Sequence, residues 1–98
     1  MDFEIEFSEP ARDHLKRFRK RDQQVLLDAI DGQLTNEPDR PTRNRKRLED
    51  NPLAPWELRV GDFRIFYDVS VEEVTVVIVA VGHKVHNRLF IGGEEIEL

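Results

Sequence analysis

The sequence predicts an α+β fold in which two helices pack on one face of a mainly antiparallel sheet. Three observations predict it. Residues 56–60 and 63–67 alternate apolar and polar side chains on either side of Gly61-Asp62, as two half-buried strands do. Apolar residues recur at helical spacing between residues 11 and 34. Residues 74–81 are apolar at nearly every position, as expected of a central strand that is covered on both faces.

The length and composition indicate one globular domain. The chain has 98 residues, so we expect residues 1–98 to share a single modest core. It is 39% hydrophobic and 36% charged, which excludes a disordered chain. No apolar run is long enough to span a membrane and the acidic start is unlike a signal peptide, so we expect a cytoplasmic protein without a membrane partner. The lack of cysteine excludes disulfides, thiol catalysis and cysteine-ligated zinc.

The net charge of −5 is distributed unevenly. Residues 10–47 hold 11 Lys/Arg against 6 Asp/Glu, whereas the rest of the chain holds 4 against 14. An acidic total argues against a general nucleic-acid binder, but a local basic surface can still bind a polyanion.

The first third of the chain predicts a strand followed by two helices. Residues 1–7 alternate and predict a strand with one buried face. Ser8 is suited to cap a helix that has Pro10 in its first turn and continues to about Lys20. Asp22 is suited to cap a second helix after a break at residues 21–22. The buried stripe of that helix would contain Leu26, Ile30 and Leu34, joined by Val25, Leu27 and Ala29.

Gly61-Asp62 predicts a two-residue hairpin turn of type II′, because glycine stands first. This turn sets the register of the two strands and places Arg59 directly opposite Arg64, with Glu57 on the same face. The other face would be apolar and would be covered by the two helices: Trp56, Leu58, Val60, Phe63, Ile65 and Tyr67.

Two arginines directly opposite each other should weaken an antiparallel pair. Either Glu57 and Asp68 neutralise them on a solvated surface, or an anion such as a phosphate completes the site.

The basic segment that precedes the hairpin also has two interpretations. Residues 35–51 predict irregular structure with Leu48 as core anchor, and their cations either line a solvated loop or contact a polyanion: Arg40, Arg43, Arg45, Lys46 and Arg47.

The turn at residues 70–73 determines which face of strand 74–81 joins the arginines. A turn of two or four residues would place Val77 and Val79 there, opposite Phe66 and Arg64, whereas a three-residue turn would reverse the faces. Residues 82–88 then supply further donors, residues 89–91 return to apolar character, and the acidic residues 94–98 would add a short edge strand.

The chain resembles RelE/ParE-type toxins of bacterial and archaeal toxin–antitoxin pairs over nearly its whole length. The segments that carry the resemblance are F-E-I-E-F-S-E-P-A, K-R-L-E-D-N-P, W-E-L-R-V-G-D-F-R-I-F-Y-D-V, V-V-I-V-A-V-G-H-K and N-R-L-F. The L-R-x-G-x-[FY]-R-x-x-Y core is the specific part. The resemblance implies two N-terminal helices on one face of a sheet and an open cleft on the other.

In the RelE branch the resemblance implies a metal-independent endoribonuclease that cleaves mRNA in the ribosome. Arg64 matches the arginine that stabilises the phosphate, Arg59 a flanking phosphate contact, and Lys84 the residue for the leaving group. Where RelE has catalytic lysines this chain has Pro55 and Glu57, and where the family often has a tyrosine it has Phe90. Glu57 is therefore the candidate general base, and the cations expected to grip RNA phosphates are Arg43, Arg45, Lys46, Arg47 and Arg88.

His83 has two interpretations, a general acid on the arginine face or a hydrogen-bonded histidine at its rim. With His86 it makes a poor metal site, because two histidines without further ligands do not hold an ion well. We therefore expect neither a metal nor another cofactor.

Three functions remain open on the sequence: a ribonuclease acting on mRNA at the ribosome, a non-enzymatic inhibitor of DNA gyrase as in the ParE branch, and an inactive binding protein. The resemblance implies a cognate antitoxin as partner, which would wrap the helices and mask the arginine face. The exposed edges of a small open sheet would also allow a homodimer.

Overall fold

The computed structural model describes residues 2–97, and Met1 and Leu98, the ends of the first and last predicted strands, lie outside them. Within this range the strands form one sheet of order β2-β3-β4-β5-β6-β7, and β1 pairs with β5 in parallel. The predicted α+β fold is confirmed. The elements are β1 (Glu4–Phe7), α1 (Glu9–Lys16), α2 (Lys20–Leu34), β2 (Arg45–Arg47), β3 (Trp56–Val60), β4 (Phe63–Ser70), β5 (Thr75–Val85), β6 (Arg88–Ile91) and β7 (Glu94–Ile96).

Helix α1 and its capping residue Ser8 fill a gap in the edge of β5. Since β5 has 11 residues, one edge pairs with β4 while the other pairs first with β1 and then with β6. Between those two partners, the Ser8 hydroxyl donates to the Val79 carbonyl at 3.0 Å and His14 Nδ1 accepts the Val81 amide at 3.2 Å. Ser8 Oγ also accepts the Ala11 amide at 3.2 Å, which confirms the predicted helix cap.

The boundary between the helices differs from the prediction. Helix α1 ends at Lys16 and α2 already begins at Lys20, so the predicted break at residues 21–22 is wrong. Phe18 follows the end of α1, and its ring packs edge-on against Phe63 with ring centroids 5.3 Å apart. Asp22 consequently lies in the first turn of α2, where it accepts from Arg19 Nε at 3.2 Å instead of capping the helix.

The main core lies between the helices and one face of the sheet. Leu26, Ile30 and Leu34 are buried there, as predicted. Val25 and Leu27 were expected to join them but are 45% and 37% exposed, because they flank the stripe and do not face the sheet. The hairpin contributes the predicted apolar face to this core: Trp56, Leu58, Val60, Phe63, Ile65 and Tyr67.

The β3–β4 hairpin has the predicted register, with Arg59 opposite Arg64 and Glu57 opposite Phe66. Gly61 has a φ of +59° and Asp62 is not left-handed, as a type II′ turn requires. The turn between β4 and β5 has four residues, since Ser70 pairs with Thr75.

A bulge in β5 changes which side chains face the arginines. Asp68 pairs with Val77 and Tyr67 with Ile78, but the next residue, Phe66, pairs with Ala80. Val79 is therefore an extra residue, so the predicted pairs Phe66–Val77 and Arg64–Val79 are wrong: Phe66 lies opposite Ala80 and Arg64 opposite Gly82. An inserted residue reverses the alternation that follows it. As a result, residues 80, 82 and 84 lie on the arginine face, and residues 81, 83 and 85 lie on the helix side.

A second, smaller core covers part of the arginine face. Phe66 and Ala80 are buried beneath the segment before β3 and beneath the last two strands. Leu48 belongs to it, as predicted, and the other members are Leu53, Ala54, Val79, Leu89, Ile91 and Ile96. The expectation of irregular structure throughout residues 35–51 is wrong at Arg45–Arg47, which pair with β3 as an edge strand.

Candidate functional site

Glu57 lies between two guanidinium groups on the arginine face, the sheet face that carries Glu57, Arg59, Arg64 and Lys84. Its Oε2 is 3.7 Å from Arg59 Nε and its Oε1 is 3.6 Å from Arg64 Nε. The Glu57 side chain is only 10% exposed and that of Arg64 12%, whereas that of Arg59 is 47% exposed. Both distances exceed those of a good hydrogen bond, so the carboxylate is attracted to both arginines but retains lone pairs for another donor.

Arg64 is held in position by the hairpin turn beside it. Its Nη1 donates to the carbonyls of Gly61 and Phe63, each at 2.8 Å. Its Nε is buried and has no hydrogen-bond acceptor within reach in the described chain. The guanidinium therefore has little rotational freedom left to lose when it binds an anion, which is the arrangement that favours charge-assisted binding of an oxyanion.

Lys84 joins this face because of the β5 bulge. It pairs with Leu89 of β6, and its amide donates to the Asp62 carbonyl at 2.8 Å. Glu57 and Lys84 line a shared cleft of about 450 Å³. Arg88 stands at the rim of that cleft, where its Nη1 is 3.7 Å from Glu95 Oε1. The cleft thus contains a candidate base and a candidate acid.

His83 is not on the arginine face, and that expectation is wrong. It pairs with Phe63, so its ring points to the helix side, where it stacks on Phe90 at 5.8 Å and meets Phe18 edge-on at 5.6 Å. The reason is the bulge, which moved His83 to one side and Lys84 to the other. Phe90 pairs with His83, so a tyrosine at position 90 would also lie on the helix side. The lack of its hydroxyl therefore does not change the surroundings of Glu57.

The three aromatic rings line a larger cleft on the helix side. This helix-face cleft has a volume of about 750 Å³ and includes His14, Arg17, Val25 and Val85 in its wall. Its lining is mainly apolar, which distinguishes it from the charged cleft at Glu57.

The basic segment before β3 divides between the two sides of the sheet. Lys46 pairs with Glu57 and so shares its face, while Arg43 is exposed in the loop. Arg45 is 8% exposed, and its Nη1 donates to the Gln33 carbonyl at 2.6 Å and to the Asn36 carbonyl at 3.2 Å. Arg45 therefore caps the C-terminal end of α2, which removes it from the surface where phosphate contact was expected.

Arg47 also faces the helix side. Its guanidinium carbon lies 5.8 Å from the centroid of the Trp56 ring, in range of a cation–π interaction. Of the predicted phosphate contacts in this segment, Lys46 and Arg43 remain available to a ligand on the arginine face or at its edge.

His14 was missed in the sequence. Its Nδ1 accepts the Val81 amide, so the neutral ring carries its proton on Nε2. Burial lowers the pKa of His14 below its usual value, with the Asp13 carboxylate opposing this effect and Arg17 adding to it. The available signal was its position three residues after Ala11, on the buried stripe of α1.

Two kinds of feature are absent from residues 2–97, a metal-binding cluster and a membrane-spanning helix. No three His, Cys, Asp or Glu side chains are grouped closely enough to hold a metal ion. Neither of the two helices described is long and apolar enough to cross a membrane.

Comparison with known proteins identifies the family. The family model described as "ParE toxin of type II toxin-antitoxin system, parDE" matches residues 5–87. The chain belongs to the ParE toxin family. The match spans both helices, the hairpin and β5, and therefore includes Glu57, Arg64 and Lys84. The chain is accordingly a type II toxin–antitoxin toxin of the RelE/ParE group, as the sequence resemblance predicted.

Solved structures of this group share the fold. The toxin–antitoxin complex RelBE2 from Mycobacterium tuberculosis contains a chain that is 27% identical, with a TM-score of 0.75 over 86% of this chain and 93% of that one. The archaeal RelE–RelB complex from Pyrococcus horikoshii gives 20% identity and a TM-score of 0.66 over 83% and 93%, which shows the fold alone. No curated protein sequence gives a significant match.

Proposed function

We propose that this toxin is a metal-independent endoribonuclease that binds an mRNA phosphate on its arginine face, with the ribosome presenting the message. The observation that carries the proposal is the position of Glu57, which shares one cleft with Lys84 and lies between two arginines. RNA cleavage requires a base, an acid and cations near a phosphate. All three kinds of group stand on this one face.

In the proposed reaction Glu57 accepts the proton of the ribose 2′-hydroxyl. The 2′-oxygen then forms a bond to the adjacent phosphorus while the bond from phosphorus to the 5′-oxygen breaks. Lys84 donates a proton to that leaving oxygen, which gives a 2′,3′-cyclic phosphate and a 5′-hydroxyl. Arg64 would stabilise the charge on the pentacoordinate phosphate, since its fixed guanidinium needs no reorganisation during the step.

Expression in bacterial cells tests the proposal. Wild-type protein should arrest growth and produce new RNA 5′ ends in phase with codons, whereas Arg64→Ala should do neither. Arg64→Lys keeps the charge but loses the two-pronged donor and should retain little activity. Glu72→Gln, at an exposed position of the β4–β5 turn, is the matched control and should behave like the wild type. Arrest by Arg64→Ala with the same RNA ends would refute the assigned role.

A second candidate, a non-enzymatic inhibitor of DNA gyrase, is favoured by two observations. The matching family model is that of ParE toxins, and the strand pairing within the described residues turns both His83 and Tyr67 to the helix side, away from the arginine face. Under this alternative, induction leaves RNA intact and damages DNA, and purified protein inhibits supercoiling by gyrase.

We also propose a cognate antitoxin as partner, because the two similar structures were solved as toxin–antitoxin complexes. A peptide segment of that partner has two places to bind, the charged cleft at Glu57 and the helix-face cleft. Masking the first would block the proposed reaction directly. Co-expression with the protein of the adjacent gene, followed by co-purification, tests the pairing.

A further inference from the structure

The turn between α1 and α2 concentrates positive charge that the proposed reaction does not use. Residues 12–21 contain six Lys/Arg and one carboxylate, although the whole chain has a net charge of −5. All six cations are exposed. We refer to them as the basic turn: Arg12, Lys16, Arg17, Arg19, Lys20 and Arg21.

Local structure accounts for only part of these charges, since Lys16 lies in the last turn of α1, at the negative end of that helix. Among the described residues, only Arg19 has a carboxylate within ion-pair distance, Asp22 at 3.2 Å. Lys20 and Arg21 occupy the first turn of α2, and Arg19 precedes it without a side-chain cap. The N-terminal end of a helix is its positive end, so cations there reduce stability. Binding of an anionic partner would explain why the protein has cations at a position where they lower its stability.

The position of the basic turn separates it from the arginine face. Both helices pack on the opposite side of the sheet from Glu57, Arg59 and Arg64. A helix of 15 residues is about 22 Å long, so α2 also separates the turn from the basic segment that follows its other end. A ligand that contacts the turn therefore does not displace a ligand at Glu57.

The shape of the surface favours nucleic acid over protein. Arg17 borders the helix-face cleft, whereas the other five cations line neither that cleft nor the cleft at Glu57 and form an exposed, charged surface. A phosphodiester backbone binds such a surface without burying apolar area, because release of counterions supplies the free energy. A protein partner requires buried apolar anchors at the centre of its contact. Four of the six cations are arginines, which suit phosphate oxygens.

We propose that the basic turn binds the phosphodiester backbone of RNA and holds the toxin beside its target, independently of cleavage. The proposal extends the proposed function but requires no reacting residue. Because the rest of this acidic protein is repelled by a polyanion, the basic turn would also orient the protein as it approaches RNA.

The test measures binding of a 2′-O-methyl RNA duplex, which cannot be cleaved, at a series of salt concentrations. Lys20→Gln with Arg21→Gln should weaken binding on the order of tenfold and reduce the slope of log K against log salt by about 2, one for each cation. The double variant should melt at the same temperature as the wild type or higher, because the helix loses two unfavourable charges. Weaker binding would then not be explained by unfolding.

Two control proteins make the result specific. Asn36→Asp with Val71→Glu changes the net charge equally at exposed positions away from the turn and should keep the wild-type slope. Arg64→Ala should also bind the duplex through the turn with the wild-type slope, because Arg64 lies on the other side of the sheet. Cleavage of mRNA by Arg64→Ala would contradict the proposed reaction and leave this inference standing. An unchanged slope in the Lys20/Arg21 variant, an equal loss in the charge control, or a loss seen only with a DNA duplex or a polyglutamate peptide would overturn the inference.

Discussion

Replacement of Arg45 by alanine should destabilise the protein even though this residue lies in a basic segment. Arg45 is 8% exposed, and its Nη1 donates to two carbonyls at and just beyond the end of α2, those of Gln33 and Asn36. Hydrogen bonds from a charged group contribute about 1.5–3 kcal/mol each, and the shared nitrogen makes the lower values appropriate. We therefore expect Arg45→Ala to reduce the free energy of unfolding by about 2–4 kcal/mol.

Urea denaturation followed by tryptophan fluorescence measures this free energy. In a domain of this size a loss of 1 kcal/mol lowers the melting temperature by about 4–8 °C, so the change should be large. Arg43→Ala is the matched control, because Arg43 is exposed two residues earlier and should change stability by less than about 0.5 kcal/mol. Equal stability of the two variants, with Arg45→Ala weakening RNA binding, would refute the capping role and restore Arg45 as a phosphate contact.

Two further predictions concern His14, which contacts β5, and Gly82, which lies within β5. Because burial lowers the pKa of His14, its neutral ring stabilises the fold fully above the unfolded-state pKa of about 6.5, and this contribution is lost as pH falls from there towards the folded value. The stability difference between wild type and His14→Gln should thus shrink between pH 7.5 and 5, and a constant difference would contradict the assigned hydrogen bond. Gly82→Ala should cost about 1–3 kcal/mol in urea denaturation, because the new carbon would lie 2.5 Å from the Phe90 carbonyl oxygen. The same change at Gly32, where no atom lies within 4 Å, should stabilise α2 by about 0.5–1 kcal/mol, and equal effects at both glycines would show that the close approach is absent.

The sequence predicted the elements whose pattern is local and periodic. The Gly61-Asp62 turn set the hairpin register, and alternation from that turn gave both faces correctly, including Arg59 opposite Arg64. Helical spacing likewise identified Leu26, Ile30 and Leu34 as the buried stripe of α2. In each case one short-range rule decides the structure without information from distant residues.

The sequence did not predict features that depend on distant contacts. The extra residue Val79 leaves no mark in residues 74–81, which are apolar at nearly every position, yet it reverses the alternation and moves His83 to the helix side. Arg45 could not be distinguished from its exposed neighbours, because its partners are carbonyls at and just beyond the end of α2, more than eight positions earlier in the chain. Both errors affected the expected site more than the expected fold.

The most direct test of the proposed reaction is the rate at which purified protein converts ribosome-bound mRNA to fragments that end in a 2′,3′-cyclic phosphate. If Glu57 is the base, wild-type protein should form this product and Glu57→Gln should be slower by about 10²–10⁴-fold, the usual contribution of general-base catalysis. Circular dichroism should show that both proteins are folded. Formation of the product at equal rates by the two proteins, or intact mRNA with the wild type, would contradict the account.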